Sequence, residues 1–128
     1  MTLNLEELYE NILNEEFVWN SDKIYISGPY GRRKGLSEEE CEANVKRAIE
    51  VARKLILEGY NPFVPHLFHY IHIGWNGTLP EEKWLELCKG WISACRYMFM
   101  MRGWATSEGA VEEHRIAKEL GLEIIYEV

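Results

Sequence analysis

The chain has 128 residues, 47% of them hydrophobic, and carries 14 Lys and Arg against 21 Asp and Glu, a net charge of -7. A chain of this length buries about two thirds of its unfolded surface, so we expect one domain spanning 1–128. The acidic balance argues against binding to polymeric nucleic acid, whose phosphates call for many cations. A small phosphorylated ligand is compatible with it, because one phosphate needs only a local group of donors.

The cysteines and the N-terminal residues indicate the compartment. Cys41, Cys88 and Cys95 cannot all pair within one chain and show no CxxC spacing, so we expect neither a disulfide framework nor a zinc ribbon. The N-terminal segment is acidic and amphipathic, unlike a signal peptide, and no apolar run approaches membrane-spanning length. The sequence therefore predicts a soluble, cytoplasmic protein with no membrane partner.

The first half of the chain predicts a helix, a strand, a helix and a second strand. Residues 1–20 are predicted to form an extra N-terminal helix that ends at 20–22. Its apolar stripe is Leu5, Leu8, Tyr9, Ile12 and Leu13. The β-branched run at 23–28 indicates a buried strand. Ser37 and Glu40 form a capping box that opens a helix ending at Gly59.

The next segments are less regular. Residues 61–67, interrupted by Pro62 and Pro65, predict a brief strand, and residues 68–77 an irregular or helical lid. Thr78 and Glu81, with Pro80 between them, predict a helix that continues to about residue 94. The residues predicted to point inward from this helix are Trp84, Leu87, Trp91 and Ile92.

The last part of the chain predicts a strand at 97–101, a helix at 107–120 and a strand at 122–127. Strands that alternate with helices require a parallel sheet with right-handed crossovers. We therefore predict an α/β fold: a three-layer, doubly wound, Rossmann-like or flavodoxin-like parallel sheet of about four to five strands with helices on both faces. Its tryptophans and Met98, Met100 and Met101 are predicted to be core residues.

Two loops are predicted to form the ligand site, because sheets of this kind bind ligands at the carboxyl ends of their strands. The loop at 28–35 brings Arg32, Arg33 and Lys34 beside a strand end, where they could hold a phosphate or carboxylate. It lacks both G-x-G-x-x-G and the P-loop pattern. A solvated basic turn is the alternative interpretation.

The second loop, at 102–109, leads to a helix that carries Glu113. The helix macrodipole is expected to stabilise the ionised carboxylate and keep it available as a nucleophile or base. The alternative is a solvated glutamate on an acidic helix face. Glu112 lies about 100° around the helix from Glu113, so only one of the two can face the cleft. Ser107, Gly109 and Ala110 are small residues that either cap this helix or expose its N–H groups to an anion.

Three histidines, His66, His69 and His72, recur every third residue and on a helix would span an arc of about 120°. They could converge on a metal, but a fourth ligand and the H-E-x-x-H pattern are missing. Histidines that line a cleft or satisfy buried hydrogen bonds are the favoured interpretation, and no metal is predicted. Cys88 and Cys95 are interpreted as packed thiols.

Four stretches, at 23–30, 44–72, 84–95 and 103–127, resemble in their order and separation the nucleoside 2-deoxyribosyltransferase superfamily. The most similar branch is that of the 2'-deoxynucleoside 5'-phosphate N-hydrolases and their uncharacterised phage-type relatives. The resemblance implies cleavage or transfer at the N-glycosidic bond of a 2'-deoxynucleoside 5'-monophosphate or nucleoside. It also implies a small-molecule partner, no cofactor and a homodimer or higher homo-oligomer. Trp75, Trp84 and Trp91 favour an oligomer too, since they exceed what one small core encloses.

The resemblance also implies roles for individual residues. Glu113 matches the family's nucleophile, in a G-x-x-x-E stretch, and Tyr25 matches the first-strand tyrosine that holds it. Ser107 matches a serine that marks the monophosphate-cleaving branch and grips the 5'-phosphate. Together with the loop positions, this predicts the ligand-binding residues as Gly28, Tyr30, Arg32, Arg33, His66, Cys88, Ser107, Gly109 and Ala110.

This chain departs from the family pattern at two positions. Cys88 stands where an aspartate usually assists at the sugar or base, and Arg96 stands where an acid commonly begins the following strand. A thiol does not supply a carboxylate's charge or its paired acceptors. Two other functions are therefore retained: a non-catalytic protein that binds or senses a nucleotide, and a metal-dependent enzyme that uses the three histidines.

Overall fold

A computed structural model describes residues 4–14, 22–77 and 79–128. The helices are α1 (Leu5–Leu13), α2 (Glu38–Leu57), α3 (His69–His72), α4 (Glu81–Ser93) and α5 (Glu108–Leu120). The strands are β1 (Lys23–Ser27), β2 (Asn61–Phe63), β3 (Tyr97–Met100) and β4 (Glu123–Tyr126). Short 3-10 turns lie at Pro65–Phe68 and Trp104–Thr106.

The four strands form one parallel sheet in the order β2-β1-β3-β4. Tyr25 of β1 pairs with Phe63 on one side and Met98 on the other, so β1 is central. The strand order reverses between β1 and β3, which is the switch point where sheets of this type open a crevice. The predicted three-layer, Rossmann-like α/β fold is confirmed.

Alternation of side chains along β1 produces two cores, one on each face of the sheet. Ile24 and Ile26 pack with α2 on one face, where Leu55 is also buried. Tyr25 points to the opposite face and packs with Ile92 of α4 and with α5. Met98, Met100 and Met101 are buried, as predicted.

Helix α2 begins at the predicted capping box. The Ser37 hydroxyl accepts from the Glu40 N–H at 3.1 Å, and the Glu40 carboxylate accepts from the Ser37 N–H at 3.2 Å. The face that α2 buries passes through Cys41, Val45, Ala48, Ala52 and Leu55.

The N-terminal helix differs from its prediction. In α1 only Leu8 is buried, whereas Leu5, Tyr9 and Leu13 of the predicted apolar stripe are exposed. The predicted end of the helix at 20–22 falls largely outside the described residues, and so does Thr78, the predicted cap of α4. That helix starts at Glu81, immediately after Pro80.

Two side chains predicted to point inward from α4 are substantially exposed, Leu87 by 38% and Trp91 by 44%. Only Ile92 of the four is fully buried, in the core cluster that also contains Tyr25 and Met98. Trp91 stacks on Phe63 with ring centroids 4.3 Å apart. Since β2 is an edge strand, this contact covers one ring face and leaves the other exposed. The prediction that the tryptophans are core residues is therefore wrong for Trp91 and for Trp75, which is also exposed.

The segment after β2 leaves the sheet early. The strand ends at Phe63, since Pro65 starts a 3-10 turn, and the predicted lid contains the helical turn α3.

Among the described residues, no helix combines the length and apolarity needed to cross a membrane.

Candidate active site

A cavity of about 470 Å³ opens at the carboxyl ends of β1 and β3. Its walls are the loop at 28–36, the segment at 65–72, the start of α4 and the start of α5. The volume is in the range of about 300–1,000 Å³ that is typical of small-molecule sites. Every residue predicted to bind ligand lines it, as does Glu113, and Tyr25 lies directly behind Glu113.

The carboxyl group of Glu113 is held by two donors from β1. The Tyr25 hydroxyl donates a short hydrogen bond to Oε2, and the Ser27 hydroxyl donates to Oε1 at 2.8 Å. Tyr25 and Ser27 share one face of the sheet because they are two residues apart on a strand. The side chain therefore neither points into bulk solvent nor is sealed off from the cavity. Both of its carboxyl oxygens are held in place by hydrogen bonds.

Burial raises the pKa of Glu113 to about 7. The hydrogen bonds from Tyr25 and Ser27 act in the opposite direction but are outweighed, and the charge of Glu81 adds to the increase. The expectation that the helix dipole stabilises the ionised form is not met, because Glu113 is the sixth residue of α5, the dipole acts mainly within the first turn, and burial raises the pKa. Near neutral pH, both the protonated and the ionised forms are populated.

The neighbouring Glu112 turns away from the cavity. Its carboxylate accepts from Arg115 Nε at 3.1 Å on the outer side of α5. The prediction that only one of the two glutamates can face the cleft is confirmed. Glu112 is therefore a matched control for any change at Glu113.

Cys88 lines the cavity beside Tyr25 and Glu113. Burial, followed by the negative charge of Glu113, raises the pKa of the Cys88 thiol to about 11. Burial likewise raises the pKa of Tyr25 well above its usual value. Both groups keep their protons at neutral pH, so Glu113 is the group of the three that changes charge there.

The basic loop, at 28–35, forms part of the cavity wall. Arg32 pairs with Glu38 at 3.1 Å, and Arg33 pairs with Glu108 at 3.6 Å. The Lys34 ammonium donates to the Thr106 carbonyl, which connects this loop to the segment before α5. The cations are thus part of the cavity wall, and the interpretation as a merely solvated turn is not supported.

The start of α5 forms the adjacent wall. The Ser107 hydroxyl accepts from the Ala110 N–H at 3.3 Å and so caps the helix, as one of the two predictions had it. Its own proton is still available for donation to a ligand. Gly109 has open space where a Cβ would stand, so a ligand can approach the backbone closely here.

The three histidines make different contacts and do not converge. His66 is buried with Nε2 3.2 Å from the Gly28 carbonyl oxygen, and burial lowers its pKa to about 4. His69 is buried between Tyr30 and Glu42. His72 lies against Trp84, with ring centroids 4.5 Å apart. Within the described ranges, no group of three or more His, Cys, Asp or Glu side chains is arranged to hold a metal ion.

One wall of the cavity is aromatic and apolar. It is lined by Phe68, His72, Trp84 and Leu85. Sequence patterns did not identify this wall, because its members come from two separate segments that only the fold brings together. Ser27 and Asn44 were missed as well. Ser27 carried a usable signal, since it lies two residues after Tyr25 on a predicted strand.

One comparison with known proteins is informative. Residues 22–126 match the model of a family described as a domain of unknown function, DUF4406. The chain belongs to the DUF4406 family. Helix α1 lies outside the part that defines the family, whereas all four strands and every cavity residue lie inside it. No curated protein sequence matches the chain.

Proposed function

We propose that this DUF4406 protein cleaves or transfers at the N-glycosidic bond of a 2'-deoxynucleoside 5'-monophosphate, with Glu113 as the nucleophile. The observation that carries the proposal is the fixed carboxyl of Glu113, which Tyr25 and Ser27 orient on the cavity wall. The resemblance to the nucleoside 2-deoxyribosyltransferase superfamily assigns the same two residues, Glu113 and Tyr25, to this chemistry.

The cavity lining offers groups for both the phosphate and the base of such a substrate. Arg32, Arg33 and the start of α5 supply donors for a 5'-phosphate. Phe68 and Trp84 offer ring faces against which a base can stack. The sugar would then lie over Glu113, and the binding energy of the phosphate and base would orient C1' toward the carboxylate.

The reaction requires ionised Glu113. One carboxylate oxygen attacks C1' and forms a C–O bond while the C1'–N bond breaks, and the base leaves with that electron pair. Water, or a second base, then attacks C1' and releases the carboxylate. In hydrolysis, one proton of the water ends on the departed base. The Tyr25 and Ser27 hydroxyls hold the carboxyl group in place throughout, and no metal or cofactor takes part.

Base release tests the proposal directly. The protein is incubated with each deoxynucleoside monophosphate, and free base is followed by chromatography. Glu113→Gln should lower the rate by at least about a thousandfold, since removal of a nucleophile has effects of this size or larger. Glu112→Gln, on the outer side of α5, should leave the rate within about twofold. No base from any nucleotide, or equal rates for the wild type and Glu113→Gln, would contradict the proposal.

A second candidate function is binding of a nucleotide without turnover, and Cys88 favours it. This thiol keeps its proton at neutral pH and is uncharged. The site therefore lacks a second negative charge beside the sugar. Micromolar binding of a deoxynucleotide by calorimetry, unchanged in Glu113→Gln and without free base, would establish this function. Arg96 does not bear on the choice, because it pairs with Asp22 at 3.1 Å at the other end of β3.

The proposal includes the setting in which the protein works. Cys41, Cys88 and Cys95 are all free thiols, which suits a reducing cytoplasm and a role in nucleotide metabolism. Exposed apolar side chains on α3 and α4, among them Ile71 and Trp91, support assembly into a homodimer or higher homo-oligomer.

A further inference from the structure

Four side chains, two of them from the loop at 28–35, form a continuous line of hydrogen bonds that leads from α2 to the cavity. Glu42 Oε2 lies 2.9 Å from His69 Nε2, and His69 Nδ1 lies 2.7 Å from the Tyr30 hydroxyl. That hydroxyl accepts from Arg32 Nε at 2.9 Å. His69 is 1% exposed, so the middle of the line is shielded from water.

The chemistry of the two ends sets the direction of every proton in this line. Arg32 Nε can only donate, so the Tyr30 oxygen accepts from it and turns its own proton toward His69 Nδ1. With Nδ1 as the acceptor, the imidazole proton is on Nε2, facing Glu42. Arg32 Nη2, which can only donate, lies 3.4 Å from the same Nδ1, so in this contact too Nδ1 accepts.

Arg32 is consequently held on one side only. Its Nε is engaged by Tyr30, and its Nη2 by His69 and Glu38. Within the described residues, Nη1 makes no hydrogen bond, and the side chain is 31% exposed and lines the cavity. A guanidinium fixed in this way keeps a donor edge for an anion and loses less side-chain entropy when that anion binds.

We infer that Glu42 and His69 are positioning residues that act through Tyr30 to aim Arg32 at the phosphate of the bound nucleotide. The inference rests on the proposed function for the identity of the ligand. It predicts that the line Glu42–His69–Tyr30 serves recognition of the phosphate and contributes little to recognition of the sugar or base.

The test compares two ligands that differ by the phosphate alone, a deoxynucleoside 5'-monophosphate and its deoxynucleoside. Dissociation constants are measured by calorimetry in a Glu113→Gln background, so that neither ligand is consumed. Tyr30→Phe removes the hydroxyl between His69 and Arg32. It should weaken monophosphate binding by about tenfold, the effect of one hydrogen bond to a charged group. Deoxynucleoside binding should change by less than about twofold.

Two further variants separate positioning from folding. Tyr70→Phe deletes the same atom from a tyrosine outside the line, whose hydroxyl donates to Glu42 at 2.8 Å. It should change neither affinity. His69→Gln keeps one acceptor and one donor and should retain more of the monophosphate affinity than His69→Leu. Thermal melting identifies any variant that fails to fold.

The outcomes distinguish this inference from the proposed reaction. A fall in monophosphate affinity alone, in a protein that releases no base, supports the positioning role and contradicts the reaction. Equal losses for both ligands in folded Tyr30→Phe, or no loss at all, overturn the positioning role. Wild-type protein that binds neither the monophosphate nor inorganic phosphate overturns it too.

The direction of the protons has its own readout, which needs no ligand. In 15N spectra of the imidazole side chains, His69 should show a proton on Nε2 and a bare Nδ1. Tyr30→Phe should shift the Nδ1 resonance, whereas Tyr70→Phe should leave it in place. A proton found on Nδ1 in the wild type contradicts the inferred line.

Discussion

Glu113 is the residue on which the proposed chemistry depends, and its raised pKa has a kinetic consequence. In the proposed reaction only the ionised carboxylate attacks C1', and burial sets its pKa at about 7. We expect kcat/KM for base release to rise with pH and to level off above an inflection near pH 7. A rate profile from pH 5 to pH 9 measures it. A flat profile, or one that falls through this range, would contradict ionised Glu113 as the attacking group.

The same pKa shift has a consequence for stability. Burial raises the pKa of Glu113 from 4.5 to about 7, so between these values the folded state binds the additional proton and stability falls as pH rises. The cost above pH 7 reaches about 3 kcal/mol. Glu113→Gln is neutral at every pH and avoids it. Its free energy of unfolding, relative to wild type, should therefore increase by about 2.5 kcal/mol between pH 5 and pH 8.

Urea unfolding at the two pH values measures this difference. Glu112→Gln, whose carboxylate pairs with Arg115 on the outer surface, should show no such gain with pH. A Glu113→Gln variant whose relative stability is constant from pH 5 to pH 8 would show that the carboxyl is better solvated than its surroundings indicate.

At this scale, the sequence identified residues that belong to a recognisable motif. It missed residues whose role depends on neighbours that are distant along the chain. Glu113 and Tyr25 belong to motifs that can be read along the chain. The pKa of Glu113 could not be read in this way, because it depends on how completely distant segments bury the carboxyl. The role of His69 was likewise hidden, since Tyr30 and Glu42 approach it only after folding.

At the scale of elements, the residue after β1 packs closely against the residue after β3, and this packing constrains the side chain that position 28 can carry. A Cβ at Gly28 would lie 2.6 Å from Met101 Cβ and 2.7 Å from its Sδ. Gly28→Ala must displace the backbone that starts the ligand loop, so we expect the free energy of unfolding to fall by about 1–3 kcal/mol. Urea denaturation provides the measurement.

Gly109→Ala is the matched control for this change, because nothing lies within 4 Å of a Cβ added there. Helix α5 should tolerate the alanine or gain up to about 1 kcal/mol from it. If Gly28→Ala were as stable as Gly109→Ala, the close packing of β1 against Met101 would not constrain this position.

Element types were largely predictable, and element boundaries and faces were less so. The capping box at Ser37 defined the start of α2 because its signal is local. The inward face of α4 was mispredicted at Leu87 and Trp91. Helical spacing marks an apolar stripe, but the neighbours that folding brings to the helix decide how much of that stripe is covered, and Leu87 and Trp91 stay exposed.

At the scale of the whole molecule, the exposed apolar side chains predict self-association. Ile71 of α3 is 51% exposed, and Trp75 and Trp91 lie exposed on neighbouring segments. We expect light scattering after gel filtration to give at least twice the monomer mass. Ile71→Asp should shift the protein toward monomer, because a charge placed in an apolar interface loses its hydration without gaining a partner.

Leu120→Asp is the control for this prediction. Leu120 is 47% exposed, close to the value for Ile71, but it lies at the far end of α5. The substitution should leave the mass unchanged. A monomeric wild type, or equal effects of the two substitutions, would contradict an interface on α3 and α4.

The overall architecture was predictable because it needs only the alternation of strands and helices and the handedness of their crossovers. The cavity's position followed from the same rule. Its aromatic wall did not, since Phe68 and Trp84 belong to segments with no regular pattern in common. The topology thus predicted where the cavity lies, while the chemical character of its lining had to come from the folded structure.

Tyr25 and Ser27 belong to β1, the strand that is bonded to neighbours along both of its edges. Amide protons of such a strand exchange with solvent last, because their release requires the sheet itself to come apart. The loop at 28–36 and the turn α3 lie outside the sheet, so we expect their amide protons to exchange earlier. In the proposed reaction, these segments could then move while Tyr25 and Ser27 still hold the carboxyl group of Glu113. Substrate could enter and leave without disturbing those two hydrogen bonds.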